Sequence, residues 1–292
     1  MILNHRTCEK PLPLRQLIAE IGFGRGDFLI FLSRKYPNRI IAGFEVSGIS
    51  IEKAERKLRK RGITNVILIQ LDAYQGFYFI LAEESVREIY LNFPDPWFKK
   101  KHHRRRITSH RNLLMFASRM ERGGKIYLRT DYHPLIEFTF SQARSTGLFK
   151  ILTEDFLGDL PETKYGQKAV KEGRKVYTLT LELIKKPPYT PPRIMGMFNV
   201  KVRGVLEEER LANKSFKIGR ETVLKTYGVI RTKDGFLVEA LLSENGFVQR
   251  FFISVKENNG NLIFDVSPFS EVIRTPDLYK AIKTFAEFVV KQ

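Results

Sequence analysis

The fold is decided by the stretch Glu20-Ile-Gly-Phe-Gly-Arg-Gly26, which follows a short apolar run and precedes an amphipathic one. Its glycines follow the pattern G-x-G-x-G, whereas dinucleotide folds prefer the longer G-x-G-x-x-G. Glycines at Gly22, Gly24 and Gly26 let the backbone approach a ligand with no side chain in between. The stretch therefore predicts the cofactor turn of an α/β domain, or a tight glycine turn if no ligand binds.

Around this turn, short apolar runs alternate with amphipathic ones in a βαβα rhythm. This rhythm predicts a mostly parallel sheet with helices on both faces. The seven predicted strands are residues 17–22, 40–46, 65–71, 88–93, 125–130, 149–155 and 176–184. The predicted helices are residues 27–35, 50–61, 109–119 and 134–146, and residues 156–175 are interpreted as a long polar excursion between paired strands.

A proline-rich break divides the chain, because four prolines in residues 187–192 remove amide donors and favour an extended path. We predict a domain over residues 1–186, a linker over 187–193 and a smaller α+β domain over 194–292. The predicted strands of this second domain are residues 197–203, 222–231, 236–242, 247–256 and 261–266. Its predicted closing helix, residues 277–290, has Leu278, Ile282, Phe285 and Val289 on one face.

The net charge of +18 at pH 7 indicates a polyanionic partner, with nucleic acid first and an anionic membrane surface second. Residues 1–193 hold 35 basic and 20 acidic side chains, against 15 and 12 in residues 194–292, so most of the excess belongs to the first domain. A basic protein without a special partner is the alternative.

The sequence has no apolar stretch of membrane-spanning length and one cysteine, Cys8, and residues 1–16 lack the apolar core expected of a secretory signal. No His/Cys set has zinc-ligand spacing. We therefore expect a cytoplasmic protein that binds neither membrane nor metal. The oligomeric state, monomer or homodimer, is left open.

Two acidic residues end the strands that follow the glycine turn. Glu45 lies 19 residues after Gly26, where the acid of Rossmann sites accepts hydrogen bonds from ribose hydroxyls. Asp72, directly before Ala73, can accept from an adenine amino group. Either acid alone is more typical of an ordinary loop carboxylate, but together with the glycine turn the two acids predict a nucleoside-containing cofactor. S-adenosylmethionine has no phosphate to hold at the helix N-terminus, whereas NAD carries a pyrophosphate. These positions alone leave NAD open as the cofactor.

The motif Asn92-Phe-Pro-Asp-Pro-Trp97 ends the fourth predicted strand, at the edge where open α/β sheets place their chemistry. Two prolines stiffen the loop around Asp95, so its carboxylate is fixed with little entropy left to lose. We interpret Asp95 as the catalytic candidate, with Asn92 and Ala73 among the cofactor contacts. The alternative is a rigid turn with a buried Trp97.

Six fixed positive charges follow this motif within eight residues: Lys99, Lys100, Lys101, Arg104, Arg105 and Arg106. Such a run is usually a solvated surface segment. Because this one adjoins the candidate reaction centre, it predicts contacts to RNA phosphates.

Together these residues resemble the bacterial tRNA (guanine-N7-)-methyltransferase family, over roughly residues 17–184. The most specific match is Phe93-Pro-Asp-Pro-Trp97 with the basic residues after it. Supporting matches are Glu20-Ile-Gly-Phe-Gly24, Gly43-Phe-Glu-Val46, Leu71-Asp-Ala73, Arg129-Thr-Asp-Tyr132 and Thr163-Lys-Tyr165. The resemblance implies a Rossmann-like class I fold that uses S-adenosylmethionine and methylates N7 of a variable-loop guanine in tRNA.

Carried over residue by residue, the resemblance implies cofactor contacts from Glu20, Glu45 and Asp72 and a catalytic role for Asp95. It implies guanosine or tRNA contacts from Lys99, Asp131, Thr163, Lys164 and Tyr165. The chain departs from the family where Gly166 stands in place of a glutamate, for which Glu162 or Glu172 is a candidate substitute. It also departs in the region after about Met195, which the usual bacterial form lacks.

Guanine N7 carries a lone pair and no proton, so its methylation needs no general base and depends on positioning. We hypothesise that Asp95, with Asp131, accepts hydrogen bonds from the guanine N1–H and amine. An RNA methyltransferase with another substrate, such as rRNA, and a non-catalytic RNA-binding protein are the alternatives. For the second domain we consider extra tRNA contacts or stabilisation of the first domain.

Overall fold

The computed structural model describes residues 2–3, 14–152, 163–187, 196–244, 247–270 and 272–291. The chain forms two compact units, whose described parts are residues 2–3 with 14–187, and the described residues from 196 onward. Residues 188–195 lie outside the described ranges, so the predicted boundaries at 186–187 and 193–194 stay predictions.

The first unit is built on an eight-stranded sheet. Its strands are β1 (Ile2–Leu3), β2 (Leu17–Ile21), β3 (Ile41–Phe44), β4 (Val66–Ile69), β5 (Val86–Asn92), β6 (Met120–Thr130), β7 (Phe149–Leu152) and β8 (Tyr177–Leu183). They lie in the order β1-β4-β3-β2-β5-β6-β8-β7. All neighbours up to β6 are parallel, and β8 is antiparallel to both β6 and β7. The predicted seven-stranded, mostly parallel α/β sheet is confirmed, and β1 adds a two-residue edge strand.

The helices of the first unit cover both faces of this sheet. They are α1 (Asp27–Lys35), α2 (Gly48–Lys60), α3 (Ala73–Phe79), α4 (His110–Arg119), α5 (His133–Thr146) and α6 (Lys164–Lys171). α1 and α2 share one apolar core with side chains of β2, β3 and β4. α3 contacts α4, and α4 contacts α5. The four predicted helices are confirmed to within two residues at each end, whereas α3 was not predicted.

The prediction of a polar excursion over residues 156–175 is wrong for its described part, which contains helix α6. Thr163 begins this helix, because its hydroxyl accepts a hydrogen bond from the Gly166 amide. Ala169 is fully buried and Val170 is exposed, so this short and mostly polar helix shows little apolar periodicity in its sequence.

The second unit is an antiparallel sheet with one helix. Its strands are β9 (Val200–Arg203), β10 (Val205–Leu206), β11 (Ser215–Lys217), β12 (Thr222–Thr232), β13 (Gly235–Glu244), β14 (Phe247–Asn258), β15 (Asn261–Val266) and β16 (Val290–Lys291). Six of them form a sheet in the order β11-β12-β13-β14-β15-β9, and β10 pairs with β16. Helix α7 (Pro276–Val289) buries its apolar face in the core of this sheet. None of the helices in the described ranges is long and apolar enough to cross a membrane.

Candidate active site

The glycine turn joins β2 to α1 and leaves open space above it. Gly22, Gly24 and Gly26 have φ of +74°, +53° and +76°, in the left-handed region that glycine tolerates best. A Cβ on Gly22 or Gly24 would meet no protein atom within 4 Å, whereas one on Gly26 would lie 2.8 Å from Ala54 Cβ. Gly22 and Gly24 therefore leave space in which a ligand can lie against the backbone, and Gly26 lets α1 pack closely against α2.

Glu45, just beyond the end of β3, is held against the glycine turn. Its Oε2 accepts a hydrogen bond from the Gly24 amide at 3.0 Å. Its Oε1 accepts from the Val46 and Ser47 amides at 2.9 and 3.1 Å. The structure thus brings together two positions of the predicted cofactor site that lie 21 residues apart.

A buried polar network connects the ends of β2, β5 and β6. Glu20 is 2% exposed, and the Asn92 amide donates to its Oε1 at 3.4 Å. The Asn92 carbonyl oxygen accepts from Arg129 Nε at 2.8 Å, and the Arg129 guanidinium lies over the Phe28 ring at 5.1 Å. Arg129, the first residue of the Arg129-Thr-Asp-Tyr132 match, fixes Asn92 in this network.

The Glu20 carboxyl is an unusual group for such a buried position. Its Oε2 is buried and has no hydrogen-bond partner among the described residues. Burial raises the pKa of Glu20 from 4.5 to about 8, against the opposing effects of the Asn92 hydrogen bond and the Arg129 charge. An orphaned acid in this position would gain a partner from a cationic or hydrogen-bond-donating ligand.

Asp72 and Ala73 follow β4 at the same edge of the sheet. The exposed Asp72 begins helix α3, because its Oδ1 accepts from the Tyr74 amide at 2.9 Å. The N-cap role explains why an acid directly precedes a helix here. The hydrogen bond to Tyr74 uses Asp72 Oδ1 and leaves Oδ2 available to a ligand. The predicted adenine contact stays a prediction.

The loop after β5 is strained at both ends. Phe93 and Trp97 have φ of +51° and +46°, a conformation that costs a bulky residue about 1–2 kcal/mol. Between them, exposed Asp95 accepts a hydrogen bond from the Trp97 amide at 3.3 Å. Trp97 itself is partly exposed, and Arg105 lies over its ring at 5.2 Å. The loop is thus a rigid, solvent-facing corner rather than a turn around a core tryptophan.

Most of the basic run is exposed, with one exception that corrects a prediction. Lys99, Lys100, Lys101, Arg104 and Arg105 are exposed, and residues 100–105 form a short 3-10 helix. Arg106 is 2% exposed, so the predicted phosphate contact is wrong for this residue. Its Nε donates to the Pro96 carbonyl at 2.8 Å, and its guanidinium stacks on Phe138 at 4.6 Å. Arg106 therefore supports the loop that carries Asp95.

Asp131, which follows β6, is linked to the end of α6 by a residue that the sequence search missed. Arg174 forms ion pairs with Asp131 and with Glu172, the latter at 2.7 Å. No sequence signal marked Arg174, because its partner is 43 residues away. Glu172, a candidate for the missing family glutamate, is engaged by Arg174, and Glu162 lies outside the described residues.

The start of α6 lies against the loop after β5. A Cβ on Gly166 would be 3.3 Å from the Phe93 ring and 3.4 Å from Thr163 Oγ1, tighter than most such contacts. Glycine at 166 thus fits a crowded position, which gives a steric reason for this departure from the family. Thr163 precedes α6, and Lys164 and Tyr165 are its first two residues. The predicted substrate segment and the Asp95 loop are therefore neighbours.

The glycine turn, Glu45, Asp72, Asp95 and Asp131 each follow a parallel strand and lie beyond its carboxyl end, where α/β sheets bind ligands. The arrangement offers a side-chain-free turn, a buried acid without a partner and a rigid corner with an exposed carboxylate. Within the described ranges, no three His, Cys, Asp or Glu side chains are grouped so that they could hold a metal ion.

Comparison with known proteins identifies the family. A family model described as "Putative methyltransferase" matches residues 14–179. The tRNA (guanine-N(7)-)-methyltransferase of Aquifex aeolicus (strain VF5) is 38% identical over 292 residues, which cover 98% of both proteins. That of Thermotoga maritima is 30% identical over 286 residues, covering 95% of this chain and 90% of the relative. At these coverages both relatives include a region that corresponds to the second unit.

Solved structures are more distant. The 16S rRNA methyltransferase KamB has a TM-score of 0.45 and 16% sequence identity, and the match covers 59% of this chain and 89% of KamB. The family model and the Aquifex relative, by contrast, cover more than half of this chain and nearly all of it, respectively. The chain therefore belongs to the tRNA (guanine-N(7)-)-methyltransferase family.

Proposed function

We propose that this protein transfers the methyl group of S-adenosylmethionine to N7 of a guanine in tRNA, giving 7-methylguanosine. The proposal depends mainly on one observation. The open glycine turn and the buried Glu20 carboxyl, one oxygen of which has no partner among the described residues, lie at the same edge of the sheet as the Asp95 loop. Family membership supports the substrate, because the relatives are named as tRNA (guanine-N(7)-)-methyltransferases. A tRNA substrate in turn implies work in the cytoplasm.

The residues present fit S-adenosylmethionine. Its amino group would give the buried Glu20 oxygen the partner it lacks, and its ribose hydroxyls would share the Glu45 carboxylate with the backbone amides. Gly22 and Gly24 leave room for a ligand that carries no phosphate. When bound, the cofactor supplies an activated methyl group attached to a sulfonium.

The chain's own part in the reaction is to position the base. Guanine N7 has an in-plane lone pair and no proton, so no side chain has to act as a general base. Orienting two reactants is worth about 7–11 kcal/mol of the barrier in well-aligned systems. Asp95, fixed between two prolines, accepts hydrogen bonds from the guanine N1–H and amine in this proposal. Its negative charge also offsets the positive charge that develops on the purine.

The target base has to leave the RNA stack to reach the cofactor. Phe98 offers a surface for the base, because the residue is 68% exposed and its ring contacts that of Tyr132 edge-on at 5.0 Å between centroids. The exposed cations Lys99, Arg104 and Arg105 lie directly after it and are suited to phosphate contacts. We propose Asp131 and the Thr163-Lys164-Tyr165 segment as the opposite wall of the base site.

The deciding experiment is nucleoside mapping after methylation in vitro. The purified protein is incubated with labelled S-adenosylmethionine and either bulk tRNA or rRNA, and the digested nucleosides are identified by mass spectrometry. The expected product is 7-methylguanosine in tRNA alone. Label in rRNA alone would reassign the substrate, and RNA binding without any label would indicate a non-catalytic binding protein.

A further inference from the structure

Helix α2 carries a dense row of exposed cations that the candidate active site does not use. Residues 51–61 include six basic side chains and two acidic ones. Five of the basic side chains are exposed, and we call them the α2 basic surface: Lys53, Arg56, Arg59, Lys60 and Arg61. The sixth, Lys57, is half-buried and pairs with Asp27 at the start of α1.

These cations share one side of the helix. Lys53, Arg56 and Lys60 are spaced i, i+3 and i+7, which places them in one row along a helix. The apolar residues of α2, Ile51, Ala54 and Leu58, are buried on the other side. The α2 basic surface therefore faces solvent as a strip, in which the exposed Glu52 and Glu55 also lie.

The carboxylates of α2 do not neutralise this strip. Glu52 and Glu55 stand four residues before Arg56 and Arg59, the best spacing for helical ion pairs. In the described structure, however, no ion pair joins either carboxylate to these arginines, and all four side chains are exposed. The surface thus keeps a net positive charge available to a polyanion.

Helix stability alone does not account for the row. Cations in the last turn of a helix offset its macrodipole, each by about 0.3–1 kcal/mol, and this explains Arg59 and Lys60. The effect falls off within one turn, so it does not extend to Lys53 and Arg56 in the middle of the helix. A ligand with regularly spaced negative charges accounts for all of them.

The position of the surface points to the same RNA that the active site takes. Ala54 packs against Gly26, so the cations begin within one helical turn of the glycine turn. In the sheet, β2 lies between β3, which leads into α2, and β5, which leads into the exposed cations of residues 99–105. The cofactor turn is therefore flanked by positive charge on both sides.

We propose that the α2 basic surface binds the phosphate backbone of the substrate tRNA outside the segment that enters the active site. The strip from Lys53 to Arg61 is about 12 Å long. Double-stranded DNA carries about one phosphate per 1.7 Å of its axis, and at a similar density in an RNA duplex roughly seven phosphates fall within that length. Two to four direct contacts are therefore sterically reasonable. This inference rests on the proposed function for the identity of the RNA.

The test compares three variants of the full-length protein. R56Q/R59Q/K60Q removes three charges from the surface, and R56K/R59K/K60R keeps them. R122Q/R144Q/K150Q removes three exposed charges elsewhere in the first unit and so matches the change in net charge. Binding of unmodified tRNA without cofactor is measured by fluorescence anisotropy between about 50 and 200 mM salt, and melting temperatures check that each variant folds.

The expected result is a selective loss of tRNA affinity. R56Q/R59Q/K60Q should raise Kd at least about tenfold, and the slope of log K against log salt should become shallower by about 2 to 3, near 0.9 per lost contact. The charge-keeping variant should bind within about twofold of wild type, and kcat at saturating tRNA should be unchanged. Equal Kd and slope for the neutralised and control variants would overturn the proposal.

Two other outcomes are also decisive. If R56Q/R59Q/K60Q loses binding to phosphatidylglycerol vesicles and keeps its tRNA affinity, the surface is a lipid site and the proposal is wrong. If wild type binds tRNA through this surface but forms no 7-methylguanosine, the proposed function fails while the surface assignment stands, because the binding measurement uses no methyl transfer.

Discussion

At the scale of single residues, the exposed carboxylate of Asp95 is the group on which the reaction should depend most. The D95N variant keeps the shape of the side chain but replaces an acceptor with a partial donor. We expect kcat to fall about 10²- to 10³-fold, as for other preorganised electrostatic groups, while the Kd for S-adenosylmethionine changes less than about twofold. Single-turnover methylation and calorimetric cofactor titration measure the two effects. A D95N enzyme with wild-type kcat would remove Asp95 from the mechanism.

Glu20 should make both stability and cofactor binding depend on pH. Because burial raises the pKa of Glu20 to about 8, the folded protein keeps a proton between pH 4.5 and 8 that the unfolded chain has released. Raising the pH through this window should therefore lower the free energy of unfolding of the wild type, relative to E20Q, by up to about 1.4 kcal/mol per unit. Urea unfolding of both proteins at several pH values measures this difference.

The raised pKa of Glu20 also predicts how the affinity for the cofactor changes with pH. Binding a cationic amino group favours the ionised Glu20, so the affinity for S-adenosylmethionine should rise as the pH approaches 8. E20Q should bind more weakly and without this rise, and E52Q, which changes an exposed glutamate, should behave like wild type. Parallel pH profiles for wild type and E20Q would contradict the assignment.

Arg106 and Arg105 are neighbours with opposite expected roles. R106M removes the donor to the Pro96 carbonyl from a buried position, so the free energy of unfolding should fall by about 2–4 kcal/mol and kcat should fall with it. R105Q changes an exposed cation, so stability should stay within about 0.5 kcal/mol while KM for tRNA rises. Chemical unfolding and steady-state kinetics separate the two. An R106M protein of wild-type stability would restore a surface role for Arg106.

The residues of the candidate site differ in how far the sequence could predict them. Glu20, Glu45 and Asp95 stand at or just beyond strand ends, each within two residues of a glycine or proline, so their positions follow from local pattern. Arg106 looks like any other member of its basic run, and only tertiary packing on Phe138 buries it. Arg174 contacts Asp131 across 43 residues, and a single sequence holds no signal for such a pair.

At the scale of elements, the glycine turn between β2 and α1 separates ligand binding from packing. G24A places a Cβ in open space, so it should cost only the left-handed backbone, about 1–2 kcal/mol, but should lower cofactor affinity. G26A adds a clash with Ala54 at 2.8 Å, so it should cost about 2–5 kcal/mol. Thermal unfolding and cofactor titration of the two variants measure the contrast. Equal destabilisation by both would show that the helices shift to accept the added methyl group.

Elements were predictable where their apolar period was regular. The strands β2 to β5 are built on short apolar runs, and α1, α2, α4 and α5 have apolar faces. Strand β6 begins at Met120, five residues before its predicted start, because the polar and glycine residues Glu121 to Gly124 gave no strand signal. Helix α3 was missed because its sequence, Ala-Tyr-Gln-Gly-Phe-Tyr-Phe, is mostly buried and aromatic and so shows no helical period. Asp72, the N-cap of α3, is a sequence signal for the start of this helix, but the sequence analysis interprets Asp72 only as a cofactor contact.

At the scale of the whole molecule, each unit has a hydrophobic core of its own, and every candidate cofactor residue belongs to the first unit. A chain truncated after residue 187 should therefore fold and bind S-adenosylmethionine with a Kd within about threefold of the full-length value. Circular dichroism, thermal unfolding and calorimetry test this prediction, and the D95N variant of the truncated chain provides a matched control for an intact cofactor pocket. If the truncated chain folds but loses the cofactor, the second unit must complete the pocket. If it keeps the cofactor and loses tRNA affinity, the second unit contributes RNA contacts that its small net charge alone does not predict.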